Sequence, residues 1–72
     1  MTTTLSNVEK KAIVDQAIKQ VDYTIYSSEV EVLQLEAVTP VDQDQLDAYT
    51  QRIAKLNAKR LALVAELELV TE

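Results

Sequence analysis

The chain contains no glycine, and its single proline, Pro40, lies close to the centre of its 72 residues. The tight turns that join β-strands rely on Gly, or on Asn-Gly and Asp-Gly pairs, because their central residues need positive φ angles. No such pair occurs in this chain. The residue before a proline avoids the helical conformation, so Thr39-Pro40 is the strongest interruption. These constraints favour two long helices joined at Pro40 over a sheet of short strands.

Helix-start signals stand at two places in the sequence. Ser6 and Glu9 have the spacing of a capping box, in which each side chain binds the backbone N–H of the other residue. Thr39 is a second candidate N-cap, with Pro40 at the first helical position. The predicted organisation is a single helical hairpin over residues 1–72, with helix one at about 7–37, a turn at 38–40 and helix two at about 40–70.

Each half of the chain carries a seam of residues spaced alternately by three and four, which is the a/d pattern of a coiled coil. The first seam is Val14, Ile18, Val21, Ile25, Ser28, Val32 and Leu35, and the second is Leu46, Tyr49, Ile53, Leu56, Arg60, Leu63, Leu67 and Val70. In an antiparallel hairpin a faces d, and the numbers of facing residues then sum to 81, with a midpoint at Pro40. We therefore predict an all-α fold, an antiparallel two-helix coiled-coil hairpin.

Residues 21–38 allow a different interpretation. They are rich in β-branched and aromatic residues, which favour strands, and Val30-Glu31-Val32 alternates as a strand does. A kink or break is expected at Ser27-Ser28 if the helix is interrupted. The spacing of three and four nevertheless runs through the whole segment, so we predict a helix there and keep the strand as the alternative.

The charged residues beside the seam predict specific contacts. Arg60 occupies an a position, and we expect it to reach Asp22 or an acid on a neighbouring copy; a ligand clamp is the alternative. Glu31 and Arg52 occupy facing g positions and are predicted to pair. An acidic row spaced by seven borders helix one: Asp15, Asp22, Glu29 and Glu36.

A second set of apolar residues lies away from the seam on both helices. A helix with apolar residues on two sides is normally covered on both. We predict that this set is an oligomer or partner interface: Tyr23, Tyr26, Val30, Leu33, Ala54, Ala58, Leu61, Ala65 and Leu69. The expected state is a homo-oligomer, a four-helix or larger helical bundle, although a different protein partner would cover the same residues.

The missing residue types exclude many chemistries. Without Cys or His there is no thiolate nucleophile and no Ser-His-Asp triad, and without Gly there is no phosphate-binding loop. The acids Asp42, Asp44 and Asp47 lack the glycine turn of a calcium loop and are interpreted as helix-start residues. We accordingly expect no enzyme activity, no catalytic residue, no metal, no cofactor and no small-molecule substrate.

The net charge of -5 disfavours nucleic acid, whose phosphates require a basic surface. The apolar segment Leu61–Val70 contains Glu66 and Glu68 and is too short to span a bilayer, and residues 1–7 do not resemble a signal peptide. We therefore expect a soluble, acidic, cytoplasmic protein that binds no membrane. The sequence favours a small structural or scaffolding module; a regulatory adaptor or inhibitor of a larger protein is the alternative.

Overall fold

The computed structural model describes residues 4–71 and contains two helices, α1 (Asn7–Ala37) and α2 (Gln43–Val70). The helices pack against each other along their length and form a hairpin with extents of 54 × 17 × 16 Å. The predicted all-α, two-helix fold is confirmed. At 1.5 Å per residue, helices of about 30 residues are each roughly 45 Å long, which explains the elongated shape.

The start of α1 is fixed by the predicted capping box. The Ser6 Oγ accepts a hydrogen bond from the Glu9 backbone N–H at 3.2 Å, and Glu9 Oε1 accepts one from the Ser6 N–H at the same distance. The Ser6 hydroxyl also donates to Glu9 Oε1 at 3.0 Å. Two N–H groups that the first helical turn leaves without intrahelical partners are thus satisfied.

The start of α2 differs from the prediction. The helix begins at Gln43 instead of near residue 40, and its N-cap is Asp42 instead of Thr39. Asp42 Oδ1 accepts a hydrogen bond from the Gln45 N–H at 3.2 Å, and the Asp42 carbonyl accepts one from the Leu46 N–H at 3.1 Å. Because packed helix axes lie about 8–10 Å apart, the chain uses residues 38–42 to cross between them before the second helix begins.

The connection between the helices makes no use of a left-handed conformation. Val38 follows α1 with φ -97° and ψ 133°, and its N–H donates to the Leu35 carbonyl at 3.4 Å. No residue between 4 and 71 has a positive φ, and the Thr39-Pro40 peptide is cis. Val38 and Asp42, at the two ends of the connection, are extended, and the chain bends at residues 38–40.

Residues 21–37 are helical, which rules out the strand alternative for that segment. The expected weak point at Ser27-Ser28 does not interrupt α1 either. Ser28 is the most buried side chain among those described, at 4% exposure. It occupies a d position in the seam, where its small side chain allows the two helices to approach closely.

The seam between the helices is the core of the hairpin. Every a and d residue named above is buried or half-buried, whereas nearly every other residue from 4 to 71 is exposed. The exceptions are Lys10, Ala17, Val30 and Val64, which are half-buried. The burial pattern therefore follows the predicted heptad assignment along both helices.

Candidate interaction surface

The nine predicted interface residues lie almost entirely in solvent. Val30 is half-buried, and the other eight are exposed. The large members have exposures of 77% for Tyr23, 70% for Tyr26, 66% for Leu33, 72% for Leu61 and 69% for Leu69. Scattered apolar residues are normal on protein surfaces, whereas apolar patches mark interaction sites, and five large exposed residues recur here at helical spacing on a 72-residue chain.

Three of the α1 members line one open groove between the helices. Tyr26, Val30 and Leu33 border it on the α1 side, with Thr50 and Ile53 on the α2 side, and its volume is about 410 Å³. Glu29 is the one charged residue in its lining. The lining of this groove is mostly apolar.

The α1 and α2 members of the predicted interface are displaced along the hairpin. In the register of the seam, Ala54 is level with residue 27 of α1, and Leu69 is level with residue 12. The α1 members therefore lie nearer the turn and the α2 members nearer the open end. The two groups lie on different helices and overlap in height only where Ala54 and Ala58 are level with residues 27 and 23 of α1.

Sequence reasoning missed other exposed apolar side chains. Ile13 is 59% exposed and lies almost level with Leu69 on the same broad side of the hairpin. Val8 and Val38 are also exposed, near opposite ends of α1. Ile13 could have been found from the sequence, because Ile13 and Leu69 both occupy c positions and the register of the seam makes them nearly level.

Arg60 is held by Asp22, one of the two acids predicted for it. Its Nε donates to Asp22 Oδ1 at 2.6 Å, and its Nη2 lies 3.5 Å from Oδ2. The hydrogen bond to Asp22, and then the charge of that carboxylate, raise the pKa of Arg60 above its ordinary value. Both side chains remain more than two-fifths exposed. Asp22 therefore provides a hydrogen-bond partner for this seam arginine within the hairpin. The structure gives no support to the alternative that Arg60 binds a ligand.

Glu31 and Arg52 do not form the predicted ion pair. Both border the same depression on one side of the seam, but the Arg52 guanidinium lies over the Tyr49 ring, 5.2 Å from its centroid. An arginine can stack on an aromatic ring one turn away without ordering a second long side chain, and an exposed ion pair offers little to offset that ordering. The facing g positions were identified correctly, but the contact was wrong.

Two of the acids at the start of α2 accept hydrogen bonds from residues of that helix. Asp42 caps it, and Asp47 Oδ1 accepts a hydrogen bond from Gln43 Nε2 at 3.0 Å. Among residues 4–71, no group of three or more acidic side chains is arranged to hold a metal ion. Their predicted role as helix-start residues is confirmed for Asp42.

Neither helix, over the part of the chain that the structure describes, has the length and apolar character needed to cross a membrane. No protein-family model, curated protein or solved structure matches the chain.

Proposed function

We propose that this protein is a small structural or scaffolding module that acts by helix packing and self-association. The hairpin presents two rigid helical surfaces and uses its seam to hold them in place. The apolar residues on those surfaces are covered when copies pack together into a four-helix or larger bundle.

The observation that carries this proposal is the amount of surface left exposed. The hairpin exposes 5713 Å², whereas a compact monomer of its mass exposes about 4,500 Å². The excess, about 1,200 Å², is larger than the area that one partner buries in a standard protein interface, about 800 Å². Only two apolar side chains among the described residues are buried, Val14 at 9% exposure and Val70 at 7%. Packing between copies would supply the core that one copy lacks.

The proposal is tested by replacing exposed leucines with glutamine, which keeps the size and helix propensity of the side chain. Leu33→Gln and Leu61→Gln should each raise the dissociation constant of the oligomer by at least about tenfold, because a buried leucine contributes roughly 1.5–3 kcal/mol. Light scattering across micromolar concentrations measures the mass, and circular dichroism checks that the helices are intact.

Val8→Gln is the matched control for both variants. Val8 is 79% exposed, lies outside the predicted interface and is beyond the level reached by α2. Its replacement should leave the mass unchanged. A wild-type chain that stays monomeric up to several hundred micromolar, or an oligomer that survives both leucine substitutions, contradicts the proposal.

A second candidate function is a regulatory adaptor or inhibitor that docks on a larger protein. Its support is the acidic row beside the apolar groove, where Glu29 and Glu36 have no ion-pair partner among residues 4–71. A basic amphipathic helix would place its apolar side chains in the groove and its cations on those carboxylates. A wild-type chain that is monomeric by light scattering and helical by circular dichroism favours this candidate over self-association.

A further inference from the structure

The two broad sides of the hairpin, one on each flank of the seam, carry opposite charge. One side carries the e and b positions of both helices, which are the residues that directly follow each seam residue. The groove lined by Tyr26, Glu29 and Thr50 lies on this side. We call this side the acidic face. Its acids are Asp15, Asp22, Glu29, Glu36, Asp47 and Glu68, and its bases are Lys19 together with Lys11 and Arg60, which pair with Asp15 and Asp22. Six acids and three bases give this face a net charge of -3.

The other broad side carries the g and c positions, which are the residues that directly precede each seam residue. We call it the basic face. Arg52, Lys55 and Lys59 border one depression on α2, which places three cations within two helical turns. The bases of this face are Lys10, Arg52, Lys55 and Lys59, and its acids are Glu31 and Glu66. Four bases and two acids give a net charge of +2, on a chain whose total charge is -5.

The charges on the two faces are available to an outside partner. Neither Glu29 and Glu36 on the acidic face nor Lys55 and Lys59 on the basic face have an ion-pair partner within residues 4–71. All four side chains are exposed. The ion pairs in the described part of the chain are Lys11 with Asp15 and Arg60 with Asp22, so the hairpin leaves those four exposed side chains uncompensated.

Both faces also carry exposed apolar side chains. Tyr26, Leu33 and Leu61 lie on the acidic face, and Ile13 and Leu69 lie on the basic face. Contact between an acidic face and a basic face therefore removes apolar area from water while it joins opposite charges. Burial supplies the affinity of such a contact, and the charges select its partner and orientation.

We infer that copies of this chain associate face to face, with the basic face of one copy on the acidic face of the next. This inference rests on the proposed self-association and specifies the surfaces that meet. Contact between two acidic faces is disfavoured because it would place like charges, including Glu29 and Glu36, opposite each other. A contact between unlike faces avoids that repulsion.

The dimensions of the hairpin allow its two faces to act separately. An α-helix with its side chains is about 10–12 Å across, and charges in water are screened beyond about 8 Å at physiological ionic strength. A neighbouring copy therefore responds mainly to the face that it approaches, and the net charge of -5 does not prevent docking on the acidic side.

The contact is heterologous, since it joins two different surfaces of the same chain. Each addition leaves one acidic face and one basic face free, so the assembly grows into a stack or closes into a ring. A two-fold symmetric dimer, in contrast, would use the same surface on both copies and would stop at two.

Two charge-reversal variants test the inference. Glu29→Lys/Glu36→Lys makes the part of the acidic face nearest the turn basic, and Lys55→Glu/Lys59→Glu makes the centre of the basic face acidic. Each variant alone should assemble at a concentration at least about tenfold higher than wild type, because like charges then meet. An equimolar mixture should recover wild-type assembly, since each altered face meets a complementary one. Light scattering and analytical ultracentrifugation measure the masses, and circular dichroism measures helicity.

A matched control adds charge away from both faces. Gln16→Lys places a cation on an f position, at the outer edge of the hairpin, and should assemble as wild type does. Failure of the mixture to recover assembly, or normal assembly of both reversal variants, overturns the inference. If the reversal variants assemble normally while Leu33→Gln and Leu61→Gln dissociate, self-association stands and only the proposed pairing of faces falls.

Discussion

The seam and the outer apolar residues have the same spacing but opposite environments. Leu56 in the seam is half-buried against α1, whereas Leu61, five residues later on the same helix, is 72% exposed. The apolar pattern identifies a surface that is suited to packing. Whether the surface is covered depends on what lies across from it, and for the seam the opposite surface is part of the same chain.

The largest expected effect comes from replacing a leucine with alanine, once in the seam and once among the outer apolar residues. Leu56→Ala should lower the free energy of unfolding by about 2 kcal/mol at every protein concentration, because it removes packing against α1. Leu61→Ala should lower it by about 0.5 kcal/mol or less when the protein is dilute. Under the proposed self-association, the effect of Leu61→Ala grows as the concentration rises, since only the assembled form buries that side chain. Urea unfolding followed by circular dichroism, at several protein concentrations, measures both.

Equal losses for the two variants in dilute solution would contradict the heptad assignment. They would mean that Leu61 packs within a single copy as Leu56 does. A concentration-independent effect of Leu61→Ala would weaken the case for self-association while leaving the hairpin intact.

The fold was predictable because its determinants are local or repeat along the chain. Ser6 and Glu9 form a capping box within four residues, and the heptad spacing extends over both helices. The register of the seam even placed Arg60 near Asp22, 38 positions away in the sequence. The predicted contact between Glu31 and Arg52 was wrong. Arg52 had two available partners, and it contacts Tyr49, which lies on the same helix.

The two helix starts form a second comparison. The first was predicted correctly from Ser6, whereas the second was assigned to Thr39-Pro40 and lies at Asp42. Proline at a first helical position is a common signal, but it gives no information on how many residues are needed to cross between packed helices. That number depends on the distance between the helix axes, which is a property of the folded hairpin.

A pair of substitutions at the turn sharpens this second comparison. Asp42→Ala should lower the free energy of unfolding by about 1 kcal/mol, the usual cost of removing an N-cap side chain. Thr39→Ala should have a much smaller effect, because Thr39 lies outside the helix. A larger loss for Thr39→Ala than for Asp42→Ala would place the start of α2 at the proline after all. Both variants are measured by urea unfolding in dilute solution.

The candidate interaction surface was predictable only in part. The residues at helical spacing could be listed from the sequence, and they are exposed with the exception of Val30. The division of charge between two faces was not visible in the composition, because it depends on the heptad position of each charged residue. It becomes visible once the seam defines which residues, such as Glu29 and Lys55, lie on opposite sides of the hairpin. The partner that covers a face is not encoded in any local pattern.

The smallest expected effect concerns the charged part of the seam. Asp22→Asn removes the charge that Arg60 contacts, while Glu29→Gln removes a charge from the same acidic row, seven residues later, that has no ion-pair partner in the described chain. Both variants change the net charge equally. Asp22→Asn should therefore be slightly less stable than Glu29→Gln in dilute solution at low salt, by less than the loss for Asp42→Ala, since the ion pair is exposed to solvent. The difference should shrink in 1 M NaCl, where surface charges are screened within about 3 Å. Equal stability of the two variants at low salt would mean that the Arg60–Asp22 contact sets the position of the arginine without stabilising the hairpin.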